Sequence, residues 1–393
     1  MRPFVSTIHP RSVLSFAPDN EPLALTPLNV LIGPNGSGKS NLIEIFELLK
    51  AAPTDLAEAI RDGGGIGEWL WKGEGKSADA GVSTELQIPE VEPLLRYRLE
   101  FGAVDHRFQV LDEAIEDAGK SPADIDYFYR IRNGLPMLRF RKVGSGFKET
   151  VRRSRVSHDP HQSVLSQRKD PDSYPEVTAV GRSFGRILTF REWSFGRYVP
   201  LRQPQPADLP NDILLPDARN LGLILNAIEH SDVWPRLNEA IRRFLPRFKR
   251  LSTLVQGGTV QIFLHEDGLR TPIPATRLSD GTIRFIALLA ILLKPGTAPL
   301  ICLEEPELGL HPDALTLIAE LLVEASQHTQ LVVTTQSDVL VSALSEHAES
   351  VVVCENVAGA SRFSRLESDK LQFWMEKYKL GEIWRMGELG GNP

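Results

Sequence analysis

A glycine-rich octapeptide, Gly33-Pro34-Asn35-Gly36-Ser37-Gly38-Lys39-Ser40, constrains the fold more than any other feature of the chain. It fits the pattern Gly-x4-Gly-Lys-Ser. The apolar run 28–32 before it predicts a short buried strand, and the apolar spacing in 41–49 predicts a helix. A strand, a glycine loop and a helix in this order direct backbone N–H groups and the positive end of a helix dipole at phosphate groups.

The loop therefore predicts binding of a nucleoside triphosphate, and its flanking elements favour this over a chance match in a glycine-rich loop. We expect Lys39 to reach the β- and γ-phosphates, and the Ser40 hydroxyl to bind Mg²⁺. Further contacts to the nucleotide are expected from Asn35, Gly36, Ser37, Gly38 and Asn41.

The composition is that of a globular protein, with 42% hydrophobic and 24% charged residues among 393, enough for one large domain or two smaller ones. The longest apolar run, 285–293, is too short to cross a bilayer, and no apolar leader is visible, so we expect a cytoplasmic protein without a membrane partner. Cys302 and Cys354 lie in apolar stretches and are expected to be buried thiols in a reducing compartment. The net charge of −7 provides no general attraction to nucleic acid.

Two acids, Glu304 and Glu305, end an apolar strand predicted over 299–303. A strand end beside a phosphate loop is where a ligand for the Mg²⁺ shell and a base for the attacking water are needed. We expect Glu304 to hold the metal shell and Glu305 to polarise the water. The alternative is a surface turn with two acids.

A second anion-binding device is indicated by Ser279-Asp280-Gly281-Thr282, which precedes an apolar helix predicted over 283–293. Two phosphate-binding ends in one chain indicate that a nucleotide is clamped between two copies of the protein. Further along, the buried strand 330–335 ends at Gln336, which is placed to contact the γ-phosphate.

The order of these elements resembles that of ABC-type ATPases, specifically the soluble RecF-, SMC- and OLD-like branch, and bacterial ATPases grouped as the AAA family. The resemblance rests on Gly-Lys-Ser-Asn at 38–41, the variant signature at 278–282, the run 304–312 and the late segment 378–387. It implies an α/β P-loop NTPase fold: an ABC-type head assembled from both ends of the chain, with an inserted helical lobe. It also implies that the nucleotide is ATP.

Three domains are expected on this basis. Residues 1–204 would form the N-terminal part of the head, 205–275 a mainly helical lobe, and 276–393 the C-terminal part of the head. In such families a loop glutamine contacts Mg²⁺ and the γ-phosphate. Gln167 is our choice and Gln162 its rival, while a solvated loop glutamine is the other interpretation.

Three positions differ from the family pattern. Glu304 stands where Asp is commoner, which lengthens the arm but keeps the charge. Asp280 replaces a glycine, and either places a negative group near phosphate or caps the following helix. Gln336 stands where many relatives have histidine. Because glutamine donates a hydrogen bond but carries no proton charge, we expect turnover below about 1 s⁻¹.

The first functional hypothesis is a switch enzyme. ATP and Mg²⁺ would hold two heads together as a homodimer, with Ser279 and Gly281 of one copy facing nucleotide bound by Lys39 and Ser40 of the other, and hydrolysis would release them. Relatives couple such switches to DNA maintenance or to defence against phage and plasmids. No nuclease cluster is recognisable in the sequence, so an effector would be a separate protein.

The second hypothesis is a DNA-binding module in which hydrolysis is secondary. Its footprint would be the basic stretches 130–155 and 236–250. These stretches equally fit solvated faces or partners for acidic residues elsewhere. The variant signature and the context of Asn41 disfavour a transporter subunit, and the lack of an Asn-Lys-x-Asp motif disfavours a GTPase.

Overall fold

The computed structural model describes residues 1–74, 79–120, 127–132, 135–143, 149–191, 196, 198–294 and 298–391. Its strands are β1 (Val5–Arg11), β2 (Leu23–Ala24), β3 (Leu28–Ile32), β4 (Asp79–Leu86), β5 (Leu95–Val104), β6 (Arg107–Asp117), β7 (Tyr127–Arg132), β8 (Leu135–Val143), β9 (Glu149–Arg155), β10 (Leu188–Phe190), β11 (Gln205–Pro206), β12 (Phe248–Gln256), β13 (Thr259–Glu266), β14 (Ile273–Pro274), β15 (Leu300–Glu304), β16 (Gln330–Thr334), β17 (Val351–Val357) and β18 (Ala360–Arg365). Its helices are α1 (Lys39–Ala51), α2 (Leu56–Asp62), α3 (Ile66–Trp69), α4 (Val164–Gln167), α5 (Pro175–Gly185), α6 (Leu221–Glu229), α7 (Trp234–Phe244), α8 (Asp280–Leu293), α9 (Pro312–Ala325), α10 (Asp338–Ala343), α11 (Ser368–Met375) and α12 (Leu380–Arg385).

The chain divides into two compact units, each built from an early and a late segment. The phosphate-loop unit contains Arg2–Ile187 and Val352–Arg365. The acidic-strand unit contains Leu188–Val351 and Leu366–Asn392. The predicted boundaries at residues 204 and 275 stay a prediction.

The phosphate-loop unit is organised around an antiparallel sheet with the strand order β2-β1-β4-β5-β6-β7-β8-β9. Alternate residues of β5 (Tyr97, Leu99 and Phe101) are fully buried, as the two-residue period of a strand with one covered face requires. Strand β3 is buried at all five residues and neighbours β17, to which β18 pairs antiparallel. This burial fits the sequence prediction of a core strand before the glycine loop.

The acidic-strand unit contains the parallel strands β10-β15-β16. Parallel strands are normally covered on both faces, and β16 is buried at every residue while β15 is buried up to Glu304. Helix α8 is buried almost throughout, and the Phe244 ring at the end of α7 packs on Phe285 with 4.3 Å between ring centroids. The apolar run 285–293 is therefore a core helix.

The expected predominance of helix in 205–275 is not found. The segment holds α6 and α7, but also β11, the antiparallel hairpin of β12 and β13, and β14. The pairing of β12 with β13 shifts register between Phe248 and Arg250, and this irregularity interrupts the alternation that would have marked β12 as a strand. Without that alternation, β12 does not stand out in sequence from the mainly helical lobe expected over 205–275.

Other coarse expectations can be compared directly with the structure. In the basic stretch 130–155, strands β8 and β9 pair antiparallel, and residues 144–148 lie outside the described residues. Cys302 and Cys354 are buried thiols, as expected. None of the helices in the described ranges combines the length and apolar character needed to cross a membrane.

Candidate functional site

The phosphate loop joins β3 to α1 in the predicted order. Helix α1 begins at Lys39, and its N-cap is Gly38 in a left-handed conformation with φ of 94°. Because glycine has no side chain to accept the first N–H groups of the helix, these donors are left for a ligand such as a phosphate oxygen. The local backbone is thus suited to anion binding.

Lys39 is buried, and its ammonium Nζ donates to the carbonyl oxygens of Gly33 at 2.6 Å and Pro34 at 2.9 Å. The cation is therefore held over the loop by the backbone of the loop itself. Ser40, the next residue, is exposed. The prediction assigned the ammonium of the buried Lys39 to phosphate and the hydroxyl of the exposed Ser40 to Mg²⁺.

The other predicted loop residues differ in exposure. Asn35 and Gly36 are exposed, and the side-chain amide of Asn356 donates to the Gly36 carbonyl at 3.2 Å. Ser37 is buried. Their contacts to nucleotide stay a prediction.

A serine pair that sequence reasoning missed surrounds the start of α1. Ser361 Oγ donates to Ser15 Oγ at 2.6 Å, and Asn41 Nδ2 donates to the same Ser15 oxygen at 2.7 Å. A side chain on Gly38 would overlap both serine hydroxyls. Gly38 is thus required by its backbone conformation and also by the space around it.

The two candidate loop glutamines lie at either end of the short helix α4. Gln167 Oε1 accepts from the Asp159 N–H at 3.0 Å, and its Nε2 donates to the Gln162 carbonyl at 3.0 Å. Gln162 Oε1 accepts from Ser166 Oγ at 3.0 Å. In this structure both side chains bind their own loop, and a role of either at Mg²⁺ stays a prediction.

A buried carboxylate missed from sequence anchors that loop. Glu113 accepts hydrogen bonds from Tyr97 Oη at 2.8 Å, from the Val164 N–H at 2.8 Å and from Ser163 Oγ. Burial raises the pKa of Glu113 to about 7, although the three donors oppose this shift. No local pattern in β6 distinguishes Glu113, because its partners come from two distant segments.

In the acidic-strand unit, Glu304 ends β15 and pairs with an arginine that sequence reasoning did not select. Arg191 Nε donates to Glu304 Oε2 at 3.0 Å. The parallel register of β10 with β15, which matches Phe190 to Leu303, places the next residues of the two strands side by side. Carboxylate oxygen is a ligand that suits Mg²⁺, so the chemistry of the Glu304 side chain fits its predicted role in the metal shell, which stays a prediction.

Glu305 is held by its backbone on both sides. Its N–H donates to the Thr334 carbonyl at 3.1 Å, and its own carbonyl accepts from Arg284 Nη2 at 3.0 Å. Its φ is 45°, a conformation that non-glycine residues seldom adopt. The carboxylate Oε1 accepts a short hydrogen bond from Gln336 Nε2. The structure thus brings together the two residues predicted as water base and γ-phosphate contact.

Glu307 fixes the loop that carries Gln336. Its Oε1 accepts from Thr335 Oγ1 at 2.6 Å and from the Gln336 N–H at 2.9 Å. Burial raises the pKa of this carboxyl, while the two hydrogen bonds act in the opposite direction. Sequence reasoning noted the run 304–312 but gave Glu307 no role.

The signature segment begins α8. Ser279 is the N-cap, since its Oγ accepts from the Thr282 N–H at 3.1 Å. Asp280 is therefore not the cap, which removes one of the two explanations offered for this departure from the family pattern. The carboxylate of Asp280 instead binds the Arg202 guanidinium.

Arg202 is hydrogen-bonded to three residues in and before the signature segment. Its side chain is only 3% exposed, and Nη1 donates to the carbonyls of Ala275 at 3.1 Å and Leu278 at 2.6 Å. Its Nη2 donates to the Asp280 carboxylate. The buried guanidinium therefore fixes the loop before α8 and also balances the negative charge of Asp280, the residue that stands where the family pattern has glycine. Sequence reasoning missed Arg202, which lies more than 70 positions away in the chain.

The basic stretch 236–250 is partly committed to neighbouring acids. Arg236 pairs with Glu324 at 2.9 Å, and Arg243 pairs with Glu320 at 2.6 Å, both acids lying on α9. The other four basic residues of the stretch are exposed, namely Arg242, Arg247, Lys249 and Arg250, and Arg247 lies 3.8 Å from Glu266. The partner interpretation therefore holds for three of its arginines.

Comparison with known proteins agrees with this arrangement. A family model described as "AAA domain, putative AbiEii toxin, Type IV TA system" matches residues 28–342, which include the phosphate loop, the signature and both acids. The chain belongs to this family. It is thus an AAA-domain protein, as the resemblance implied, and SMC head domains share its fold. No protein of curated function matches the sequence.

Solved structures show the fold of this AAA-family ATPase. An SMC head bound to the C-winged helix domain of ScpA is 16% identical to this chain, with a TM-score of 0.60. The match spans 94% of this chain and 100% of the SMC chain. SMC head domains from Pyrococcus furiosus and Pyrococcus yayanosii are 15% and 10% identical, each with a TM-score of 0.56. Their matches span 95% and 96% of this chain, respectively, and 99% of each SMC chain. The predicted α/β P-loop NTPase class is confirmed.

Proposed function

We propose that this AAA-family ATPase binds ATP with Mg²⁺, hydrolyses it slowly and dimerises around it. The observation that carries the proposal is the buried Lys39 ammonium beside a glycine-capped helix start, because a cation and the free N–H groups of a helix start both favour phosphate binding. Lys39 would bind the β- and γ-phosphates. Ser40 and Glu304 are the residues that would hold Mg²⁺, which supplies positive charge to the phosphates when bound.

Glu305 is the proposed base. In hydrolysis a water oxygen bonds to the γ-phosphorus, the bond from that phosphorus to the bridging oxygen of ADP breaks, and Glu305 takes a proton from the water. Gln336 already donates to the Glu305 carboxylate, so its amide can orient the same water and γ-phosphate. Because an amide supplies no proton, we expect turnover below about 1 s⁻¹.

Dimerisation is proposed to use the signature segment in trans. Ser279 and Gly281 of one copy would face the γ-phosphate bound by the other, and contacts made only with ATP give the difference in affinity that a switch requires. Asp280 does not oppose this role, because Arg202 balances its charge.

The output of the switch is proposed to be defence against phage or plasmids, or DNA maintenance, through a separate effector protein. The family description, which names a toxin of a type IV toxin–antitoxin system, supports the defence interpretation. Cells carrying the wild-type chain with its neighbouring genes should resist infection or plasmid entry, and Lys39→Ala should abolish this resistance. Equal resistance with Lys39→Ala would remove the ATP switch from the pathway.

Phosphate release by purified protein tests the enzymatic part. We expect slow release from ATP that needs Mg²⁺, loss of ATP binding in Lys39→Ala, and retained binding without release in Glu305→Gln. Rapid turnover of tens per second would contradict the role given to Gln336, and binding retained in Lys39→Ala would contradict the phosphate loop as the site.

Direct DNA binding is the second candidate, favoured by the register of β8 and β9. Arg139 lies opposite Arg153 in this antiparallel pair, so the two strands bring basic positions together in one part of the sheet, and basic positions that cluster are what a phosphate backbone would bind. DNA affinity should then fall steeply with salt, and charge reversal at Arg152 and Arg153 should weaken it. Affinity that ignores salt, or that survives both reversals, would exclude this function.

A further inference from the structure

Helix α12, its N-cap Lys379 and the residues after it up to Gly391 are here called the 379–391 segment, which packs on α10. Leu380, Ile383 and Trp384 are completely buried. The Trp384 indole Nε1 donates to the Gly391 carbonyl at 2.6 Å, which closes the segment on itself. The segment is therefore a compact element with a defined conformation.

The contacts of this segment with α10 include the first residue of that helix, Asp338. Arg385 Nε pairs with Asp338 Oδ2 at 3.0 Å. Gly381 lies so close to α10 that a side chain there would overlap the Asp338 carbonyl and the Ser342 hydroxyl. Two residues after the end of α10, Ser345 Oγ accepts from the Leu380 N–H at 3.0 Å.

The first turn of α10 begins two residues after Gln336. Ser337 is its N-cap and accepts from the Leu340 N–H at 3.2 Å, and Asp338 is its first residue. The loop that contains Gln336 thus connects β16 to α10. Strand β16 is fixed by its pairing in the parallel sheet, and α10 is packed against the 379–391 segment.

We infer that Gly381 and Arg385 are positioning residues for hydrolysis, acting on Gln336 through α10. This rests on the proposed function, since it requires that Gln336 contacts the γ-phosphate or the attacking water. A shift of α10 along Gly381 would move Gln336 relative to the Glu305 carboxylate, to which it donates. Nucleotide binding at the phosphate loop should not change.

The test is a double-mutant cycle on ATP turnover with Arg385→Gln and Gln336→Ala. Arg385→Gln should lower kcat by roughly threefold to tenfold with KM for ATP unchanged, as expected for a group that acts only on the transition state. In the Gln336→Ala background it should have no further effect. Gly381→Ala should act in the same direction and more strongly.

Arg219→Gln is the matched control, because it breaks an exposed arginine–carboxylate pair, with Asp217, elsewhere in the same unit. It should leave kcat unchanged. If Arg385→Gln lowers kcat equally in both backgrounds, or leaves it at the wild-type value, the inference is overturned while the role of Gln336 stands. If Gln336→Ala alone turns over at the wild-type rate, the proposed role of Gln336 fails instead.

Discussion

Arg284 donates from Nη2 to the carbonyl oxygen of Glu305 at 3.0 Å, joining the signature helix α8 to the acid proposed as the catalytic base. A second contact supports the first, because a side chain on Gly281 would come within 2.7 Å of the Gly309 carbonyl in the loop that follows Glu305. If a partner head displaced α8, the backbone of Glu305 would therefore be expected to move as well.

Replacing Arg284 should impair hydrolysis and spare binding. Burial lowers the pKa of its guanidinium to about 10, which leaves it charged at neutral pH. A hydrogen bond from a charged group is worth about 1.5–3 kcal/mol, so Arg284→Gln should reduce kcat roughly tenfold or more. Phosphate release and ATP affinity measured together check this, with Arg219→Gln as control. Equal losses of affinity and kcat would contradict it.

Gly38→Ala should destabilise the chain more than Gly36→Ala. Both glycines have positive φ, 94° and 78°, so both variants carry a backbone cost of about 1–2 kcal/mol. Only at Gly38 would the new methyl group also overlap Ser15 and Ser361, whereas no described atom lies within 4 Å of the missing Cβ of Gly36. Thermal unfolding of the two variants gives the comparison. Equal Tm values would contradict the prediction, because they would mean that Ser15 and Ser361 move away from the new methyl group at no cost in stability.

Removing Arg202 should weaken ATP-dependent dimerisation. Arg202→Met leaves the Asp280 carboxylate without its cation at the segment expected to face phosphate. Asp280→Asn added to Arg202→Met should restore part of the dimer, because the repelling charge is gone. Dimer formation by Arg202→Met at wild-type ATP concentrations would contradict this account of Asp280.

Glu113 should make stability fall as pH rises from about 4.5 to 7. Its carboxyl ionises near 4.5 when unfolded but near 7 in the fold, so over this interval the folded chain binds more protons and loses up to about 3 kcal/mol. The Tm of the wild type relative to Glu113→Gln should decline across that window and then level off. A difference that is constant or grows with pH would show that Glu113 is ionised in the fold.

The parts of this site that could be predicted from sequence are those encoded by contiguous residues. The strand, loop and helix around Lys39, the apolar strand that ends in Glu304 and the apolar helix over 283–293 each follow from local spacing that the structure reproduces. Arg191, Arg202 and Arg284 could not be predicted, because isolated arginines acquire partners only through sheet register and helix packing. The β12 strand was missed because a register shift obscured its two-residue period.

The most direct test of the switch is the solution mass of Glu305→Gln with and without ATP and Mg²⁺. The variant keeps every proposed binding group and lacks the base, so it should accumulate the unhydrolysed state. The account predicts the mass of one chain without nucleotide and of two chains with ATP and Mg²⁺, and a return to one chain when Lys39→Ala is added. A mass that does not respond to ATP would contradict it.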